Sequence, residues 1–281
     1  MRELWTGCKR KVRLGGMEQN HQGKIRWQEE NPSGRLLPNM RNLFCLCVAF
    51  LAGGRAALAA TGEVTFTSGP AQVALIELYT SEGCSSCPPA ETWLSALRDQ
   101  PGLWKDFVPV AFHVTYWDNL GWVDPFSADA ATRRQYALAG AWGSGSVYTP
   151  CFVRNGREWH PEGKLNESTG PAGTLTLTRR ENGNWLAQYQ LLTPTKTAFE
   201  VHVALLGGNI SSAVKAGENA GRQLAHDFVM LALQSAPLPA AGAELKVADA
   251  KLAAGSRRAV AAWVTRAGEL APLQATGGWL P

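Results

Sequence analysis

The amino-acid sequence predicts an α/β domain followed by a small antiparallel, sandwich-like all-β domain. In the first half, short apolar segments alternate with segments of helical length, an order typical of strands joined by helices. From Gly173 onward, short segments of alternating apolar and polar residues are separated by Gly- and Asn-rich turns, which favours antiparallel strands. We therefore expect one domain over residues 60–165 and a second over residues 166–281.

The first half contains two candidate strands and two candidate helices. Val73–Tyr79 is apolar and too short for a helix, which indicates a buried strand. A helix follows, with Pro88-Pro89 in its first turn, where proline is tolerated. Val108–Val114 is a second strand, which we expect to be parallel to the first because a helix-length crossover separates them. A helix over Ala128–Leu138, capped by the preceding serine, and a hairpin at Asn155-Gly156 complete the series.

The second half contains four candidate strands, and their spacing predicts a small sandwich. They are Thr174–Thr178, Trp185–Leu191, Phe199–Leu206 and Ala259–Thr265. Turn residues such as Gly207-Gly208-Asn209 separate neighbouring segments.

The N-terminal residues predict an export signal. Met40-Arg41-Asn42 is a short positive segment, Leu43–Leu51 is a compact apolar run, and Ala57-Leu58-Ala59 fits a cleavage site, so residues 40–59 have the pattern of a secretory signal peptide. The apolar run is shorter than the roughly 20 residues that a membrane span needs, and we expect no span in the mature chain. Residues 1–39 are then a mis-assigned or disordered extension, and the mature protein, periplasmic or secreted, begins near Ala60.

Removal of this leader changes the charge and the cysteine content. The whole chain carries +4, but residues 1–59 hold ten basic and four acidic residues, so the remainder, with 17 and 19, carries −2. This balance gives no reason to expect a nucleic-acid partner. Three cysteines remain, at positions 84, 87 and 151, in a compartment where disulfides persist.

Cys84 and Cys87 are the candidate catalytic residues. They follow the first predicted strand, and we expect Cys84 at the start of the next helix, where free N–H groups and the helix dipole favour a thiolate. The Cys84 thiolate would attack a disulfide, and Cys87 would resolve the mixed disulfide. The alternative is that the pair forms a structural disulfide clip.

Three segments resemble one family of exported proteins, known as domain of unknown function 1223. They are IELYTSEGCSSCPPAE, FHVTYWDNLGWVDPF and the VYTP…NG segment, all within about residues 73–160, with a weaker likeness through Gly217–Asp227. Two positions depart from the family pattern, which has an acid where Thr115 stands and a polar residue other than cysteine where Cys151 stands. The order strand–CxxC–helix, strand, helix, Thr-Pro, hairpin is that of a thioredoxin-like domain. The resemblance therefore implies a thioredoxin-like fold and a redox-type site, but no established activity.

The same resemblance suggests roles for further residues. In thioredoxin-like folds the proline before the hairpin is cis and faces the disulfide, so Thr149 and Pro150 would form a wall for a substrate chain. Glu77, an acid within the first strand, resembles a proton acceptor for Cys87, although a salt-bridged glutamate is the alternative. Tyr116 and Trp117 could line a substrate groove or belong to the core.

We expect thiol–disulfide exchange with exported proteins or small-molecule thiols and disulfides. No organic cofactor is expected, because the disulfide itself is redox-active and electrons would come from a redox partner. Cys151 is a possible third thiol, or simply a small apolar core residue. Two other functions stay open: a non-catalytic binding or assembly module with a structural disulfide, and copper or zinc binding through the cysteines with His113. We assign no metal ligand from the sequence, and His226-Asp227 has no evident nucleophile beside it.

Overall fold

The structure is a computed structural model that describes residues 10–13, 63–162, 165 and 170–281. The predicted signal peptide at residues 40–59 lies outside the described residues, as does nearly all of the predicted extension at residues 1–39. From that extension, the backbone of Arg10–Arg13 is described and forms a strand.

Strands and two α-helices are the main regular elements of the described residues. The strands before residue 160 are β1 (Arg10–Arg13), β2 (Val64–Thr67), β3 (Ala74–Thr80), β4 (Phe107–His113), β5 (Ser146–Thr149), β6 (Cys151–Arg154) and β7 (Arg157–Glu158). The α-helices are α1 (Pro88–Ala96), after β3, and α2 (Asp129–Ala141), after β4. The strands after residue 170 are β8 (Thr174–Arg179), β9 (Trp185–Gln190), β10 (Phe199–Gly208), β11 (Ile210–Ala213), β12 (Gln223–His226), β13 (Val229–Leu238), β14 (Ala243–Leu245), β15 (Arg257–Arg266) and β16 (Gln274–Trp279).

The predicted fold class, an α/β thioredoxin-like domain followed by a separate β domain, is wrong. Of the described residues, 42% lie in strands and 15% in helices, so the protein is mostly β. One eight-stranded sheet has the order β16-β15-β10-β13-β4-β3-β6-β7 and combines strands from both sides of residue 165. The physical reason lies at the edge of β4. A separate α/β domain would leave the backbone N–H and C=O groups of this edge unpaired and exposed. β13 covers this edge in parallel, with Val229 opposite Ala111.

A second sheet, of order β14-β9-β8-β2, packs on the large sheet. Leu175 and Leu177 of β8 are buried in a cluster with Val201 and Val203 of β10. Since side chains alternate between the two faces of a strand, β10 contributes its other residues, such as Ala204, to the core shared with α1 and β3. The large sheet is therefore covered on both faces.

Several local predictions are confirmed. β3 and β4 are parallel, with Ala74 opposite Phe107. Asn155 and Gly156 have φ values of 48° and 78°, as a tight hairpin turn requires, and β6 pairs antiparallel with β7 across them. The predicted serine cap is wrong, because α2 begins at Asp129 and the Ser127 hydroxyl donates a 2.7 Å hydrogen bond to Asp118 instead.

No helix in the described part of the chain is both long and apolar enough to cross a lipid bilayer.

Candidate functional site

The two predicted catalytic cysteines form a disulfide at the beginning of α1. Their Cα atoms are 5.4 Å apart, and both residues are fully buried. The helix begins at Pro88, so Cys87 rather than Cys84 is the residue at its N-terminus. The carbonyl of Cys87 accepts hydrogen bonds from the N–H groups of Ala90 and Glu91, at 2.9 and 3.1 Å. Because Cys87 lies at the N-terminal end of the helix, the helix dipole favours negative charge on its sulfur.

A loop from the second half of the chain covers the disulfide. Glu218 accepts hydrogen bonds from the backbone N–H and the hydroxyl of Ser85, at 3.1 and 2.7 Å. The buried Asn219 amide donates to the backbone carbonyls of Glu82 and Cys84, at 2.8 and 3.0 Å. This loop therefore lies against the chain segment that carries Cys84.

Five buried side chains form an acid–imidazole cluster one helical turn beyond Cys87. They are Glu82, Glu91, His113, Asp124 and His226. The parallel pairing of β3 and β4 places Thr80 opposite His113, so these two strands end side by side at the cluster. Glu91 comes from α1 and His226 from the end of β12. Both halves of the chain therefore build the cluster.

His226 lies between two carboxylates. Its Nε2 is 3.1 Å from Glu82 Oε1, and its Nδ1 makes a short contact with Glu91 Oε2. The second oxygen of Glu91 accepts a 2.6 Å hydrogen bond from the Thr80 hydroxyl, and the second oxygen of Glu82 accepts a 2.7 Å bond from the indole N–H of Trp122. All four oxygens of the two carboxylates are thus occupied.

His113 is held by the third carboxylate. Its Nδ1 is 2.7 Å from Asp124 Oδ2, which also accepts a 2.8 Å hydrogen bond from the Glu82 N–H. The His113 and His226 rings lie 5.3 Å apart. The other nitrogen of His113, Nε2, is buried and has no hydrogen-bond partner among the described residues. This nitrogen is the unsatisfied polar atom of the cluster.

The cluster perturbs the pKa values of its members. Burial opposes a charge on His226, but the Glu91 and Glu82 carboxylates together outweigh burial and raise the pKa of His226 to about 10. Burial likewise opposes the charge on Glu91, but His226 lowers the pKa of Glu91 below its ordinary value. In the second pair, burial is again outweighed, so that Asp124 raises the pKa of His113 and His113 lowers the pKa of Asp124. The cluster therefore stabilises positive charge between carboxylates.

Comparison with known protein families matches residues 75–265 to the family described as "Protein of unknown function (DUF1223)". The chain belongs to this family. The match confirms the predicted family, and it carries no statement about export or redox activity. A comparison with curated proteins found no match.

Two solved structures are similar to this DUF1223 protein. A crystal structure of an Agrobacterium tumefaciens protein has a TM-score of 0.50 at 19% sequence identity, over 75% of this chain and 95% of that one. At that identity, the likeness concerns the fold alone. HBP35 of Porphyromonas gingivalis has a TM-score of 0.44 at 14% identity, over 76% of each chain.

The predicted substrate-binding residues of the DUF1223 protein lie around one tryptophan. The Thr149–Pro150 peptide bond is cis, and the Thr149 hydroxyl accepts a 2.8 Å hydrogen bond from the indole N–H of Trp117. Trp117 also packs against Gly83, where a Cβ atom would lie 3.3 Å from that of the tryptophan. Trp117 is buried and links the cysteine loop to the cis-proline loop. Tyr116, by contrast, donates a 3.1 Å hydrogen bond to Gln135 of α2.

Glu77 contacts α2 rather than the disulfide loop, and Cys151 is outside the disulfide. Glu77 accepts hydrogen bonds of 2.6 and 2.9 Å from Arg134 of α2 and one of 2.8 Å from the Tyr79 hydroxyl. Thr80, at an odd spacing from Glu77, contacts α1 on the opposite face of the sheet. Glu77 is therefore the salt-bridged glutamate that the sequence left as the alternative. Cys151 is buried on β6 and outside any disulfide.

Sequence reasoning missed most of the acid–imidazole cluster. It noted His113 and the His226-Asp227 pair, but not Glu82, Glu91 or Asp124. A helical signal for Glu91 was available, because Glu91 follows Cys87 by four residues and such positions share one face of a helix. No local signal joins these residues to His226, which is 135 positions away from Glu91.

Proposed function

We propose that this protein exchanges thiols and disulfides through Cys84 and Cys87, outside the cytoplasm. The observation that carries the proposal is the disulfide itself, closed across two residues with Cys87 at the N-terminus of α1. A helix N-terminus stabilises a thiolate, which makes Cys87 the better leaving group of the pair. The signal-peptide pattern at residues 40–59 and the disulfide bond support export, because disulfides persist in oxidising compartments.

The exchange has two balanced steps. In the oxidising direction, a substrate thiolate attacks the Cys84 sulfur, the Cys84–Cys87 bond breaks, and Cys87 leaves as a thiolate. A second substrate thiolate then attacks the substrate sulfur of the mixed disulfide, and Cys84 leaves. The substrate gains a disulfide, the pair gains two electrons, and a redox partner removes them. The reducing direction is the reverse, and neither requires an organic cofactor.

Cys84 is the proposed partner in the mixed disulfide because the residue that follows it, Ser85, is exposed. Ser85 is exposed and Ser86 is partly exposed, so the chain between the two cysteines faces solvent. Cys87 instead begins a helix whose next turn is buried. Movement of the Glu218 side chain away from Ser85 would open the approach to Cys84 without unfolding α1.

The reduction potential of the pair tests this proposal. The full chain is equilibrated in glutathione buffers, free thiols are trapped, and the thiols of each cysteine are counted by mass spectrometry. We expect the Cys84–Cys87 transition between about −120 and −270 mV, the range of working oxidoreductases. The Cys151→Ser variant is the control, since it removes a buried thiol outside the disulfide and should leave this potential unchanged.

Trapping of the mixed disulfide identifies the attacking residue. In Cys87→Ser, a disulfide probe should remain bound to Cys84, because the resolving thiol is absent. Cys84→Ser should trap much less of the same probe.

A second candidate function is a binding or assembly module with a locked disulfide. Both cysteines are fully buried, and Glu218 and Asn219 are hydrogen-bonded to Ser85 and to the Cys84 carbonyl, which favours a structural role. A pair that stays closed below about −300 mV would establish this alternative and overturn exchange.

A further inference from the structure

The acid–imidazole cluster contains three residues whose donor atoms converge. One ligand atom from each of Glu91, His113 and His226 lies within 4.8 Å of the others, and all three residues are buried. For His113 the available donor is Nε2, because Nδ1 is engaged by Asp124. A buried imidazole nitrogen without a partner is costly, and it is rare in native proteins unless an ion, a water molecule or a ligand satisfies it. The unpartnered Nε2 of His113 therefore indicates that the cluster binds a ligand.

We propose that Glu91, His113 and His226 bind one divalent transition-metal ion, with zinc as the best match. Imidazole nitrogen and carboxylate oxygen are both ordinary zinc ligands, and two histidines with one glutamate leave a further coordination position for water or a substrate atom. The same donor set also suits ferrous iron. The site lies beyond the disulfide and uses none of the cysteines.

Second carboxylates behind the two histidines support this assignment. A metal-bound histidine almost always gives its other ring N–H to a carboxylate, a carbonyl or water, which fixes the ring and its tautomer. Here Asp124 is 2.7 Å from Nδ1 of His113, and Glu82 is 3.1 Å from Nε2 of His226. Nε2 of His113 is therefore open to a metal, and Nδ1 of His226 would exchange its contact with Glu91 for a bond to the ion.

These outer carboxylates are themselves oriented. The indole N–H of Trp122 and a backbone N–H hold Glu82 and Asp124 in place, at 2.7 and 2.8 Å. Glu91, the inner carboxylate, is oriented by the 2.6 Å hydrogen bond from Thr80. A chelating set held by its neighbours loses little freedom on binding an ion.

The charge of the cluster also favours a cation. Three buried carboxylates meet here, and within the described part of the chain their salt bridges run only to His113 and His226. A divalent ion would supply fixed positive charge where no lysine or arginine does. Tetrahedral zinc with bonds of about 2.1 Å holds its ligand atoms about 3.4 Å apart, so binding would draw the donors together and separate His226 from Glu91.

Cobalt and zinc titrations of the full, untagged chain test the site. The chain is stripped with a chelator, and zinc is then added and counted by mass spectrometry and calorimetry. We expect one ion per chain in the wild type and in the Cys84→Ser/Cys87→Ser variant. Cobalt should give the absorption of a nitrogen- and oxygen-ligated ion without a thiolate charge-transfer band.

His113→Gln is the decisive variant, and His202→Gln is its matched control. The control replaces a partly buried histidine on β10, whose ring nitrogens contact Ser235 and Thr265 rather than the cluster. We expect His113→Gln to lose the bound ion and His202→Gln to keep it. If His113→Gln does not fold, Asp124→Asn serves instead, with an expected loss of about 10- to 100-fold in affinity.

Three results would overturn the site. They are no stoichiometric zinc in the wild type; full zinc binding in His113→Gln, or in Asp124→Asn if His113→Gln does not fold; and loss of zinc in the cysteine variant with a thiolate band in cobalt spectra. None of them depends on the redox assay, so failure of the metal site and failure of disulfide exchange are distinguishable.

Discussion

Replacement of Arg134 by methionine should strongly destabilise the protein, because it leaves the Glu77 carboxylate buried without a cation. Arg134 contacts Glu77 at 2.6 and 2.9 Å, and both residues are buried. Removal of one partner of a buried ion pair costs about 3–5 kcal/mol. The guanidinium also lies 5.3 Å from the centroid of the Trp263 ring, a contact worth roughly 0.5–2 kcal/mol. The range of 3–5 kcal/mol corresponds to a fall in Tm of roughly 6–20 °C for a domain of this size.

Guanidinium chloride unfolding of a double-mutant cycle measures this effect. Glu77→Leu alone should also be destabilising, since it leaves the arginine unpaired. The combined Glu77→Leu/Arg134→Met variant should recover most of the loss, because apolar replacement of a whole buried pair is often neutral. A loss below about 1 kcal/mol in Arg134→Met would refute the reasoning. A stable Glu77→Leu variant with an altered Cys84–Cys87 potential would instead favour Glu77 as a proton acceptor.

Three further predictions concern the covering loop, one histidine and the cis-proline loop. Glu218→Gln should speed reduction of the disulfide by dithiothreitol, since the charged hydrogen bonds to Ser85 weaken; an unchanged rate would show that the loop does not limit access. Burial and, to a smaller extent, the charge of Arg134 lower the pKa of His202 to about 3. As the pH drops below about 6.5, the unfolded state therefore binds a proton that the folded state does not, and the free energy of unfolding falls. His202→Gln should therefore lose about 2 kcal/mol less than the wild type between pH 6.5 and 4.5 in urea unfolding. Trp117→Phe should cost about 1–3 kcal/mol of stability, because the buried Thr149 hydroxyl loses its donor.

Local chemistry predicted most of the strands and both helices of the first half. Apolar runs of seven residues, proline in a first helical turn and an Asn-Gly turn each act within a few residues, and β3, α1 and the β6–β7 hairpin follow them. The local spacing of Cys84 and Cys87 likewise predicted their disulfide. These features needed no knowledge of the rest of the chain.

The fold class failed at the pairing of distant strands. β13 (VMLALQSAPL) is not among the four strands predicted for the second half, and its sequence names no partner. Its pairing with β4 joins Val229 to Ala111, and nothing in either segment encodes that choice. The pairing is stabilised because it satisfies the backbone groups at the exposed edge of β4, and that edge exists only in the assembled sheet. Composition and periodicity therefore predicted strands without predicting that both halves share one sheet.

The same pairing explains why the acid–imidazole cluster escaped the sequence. β12 ends at His226, and β13, the strand that closes the edge of β4, begins after a turn of two residues. The turn between them places Phe228, whose carbonyl accepts a 2.8 Å hydrogen bond from the Ala111 N–H, beside β4. His226 is thereby fixed next to His113, at the end of that strand. A first-half domain alone would hold Glu82, Glu91, His113 and Asp124 without their second imidazole. The merged sheet is thus what completes the proposed metal site.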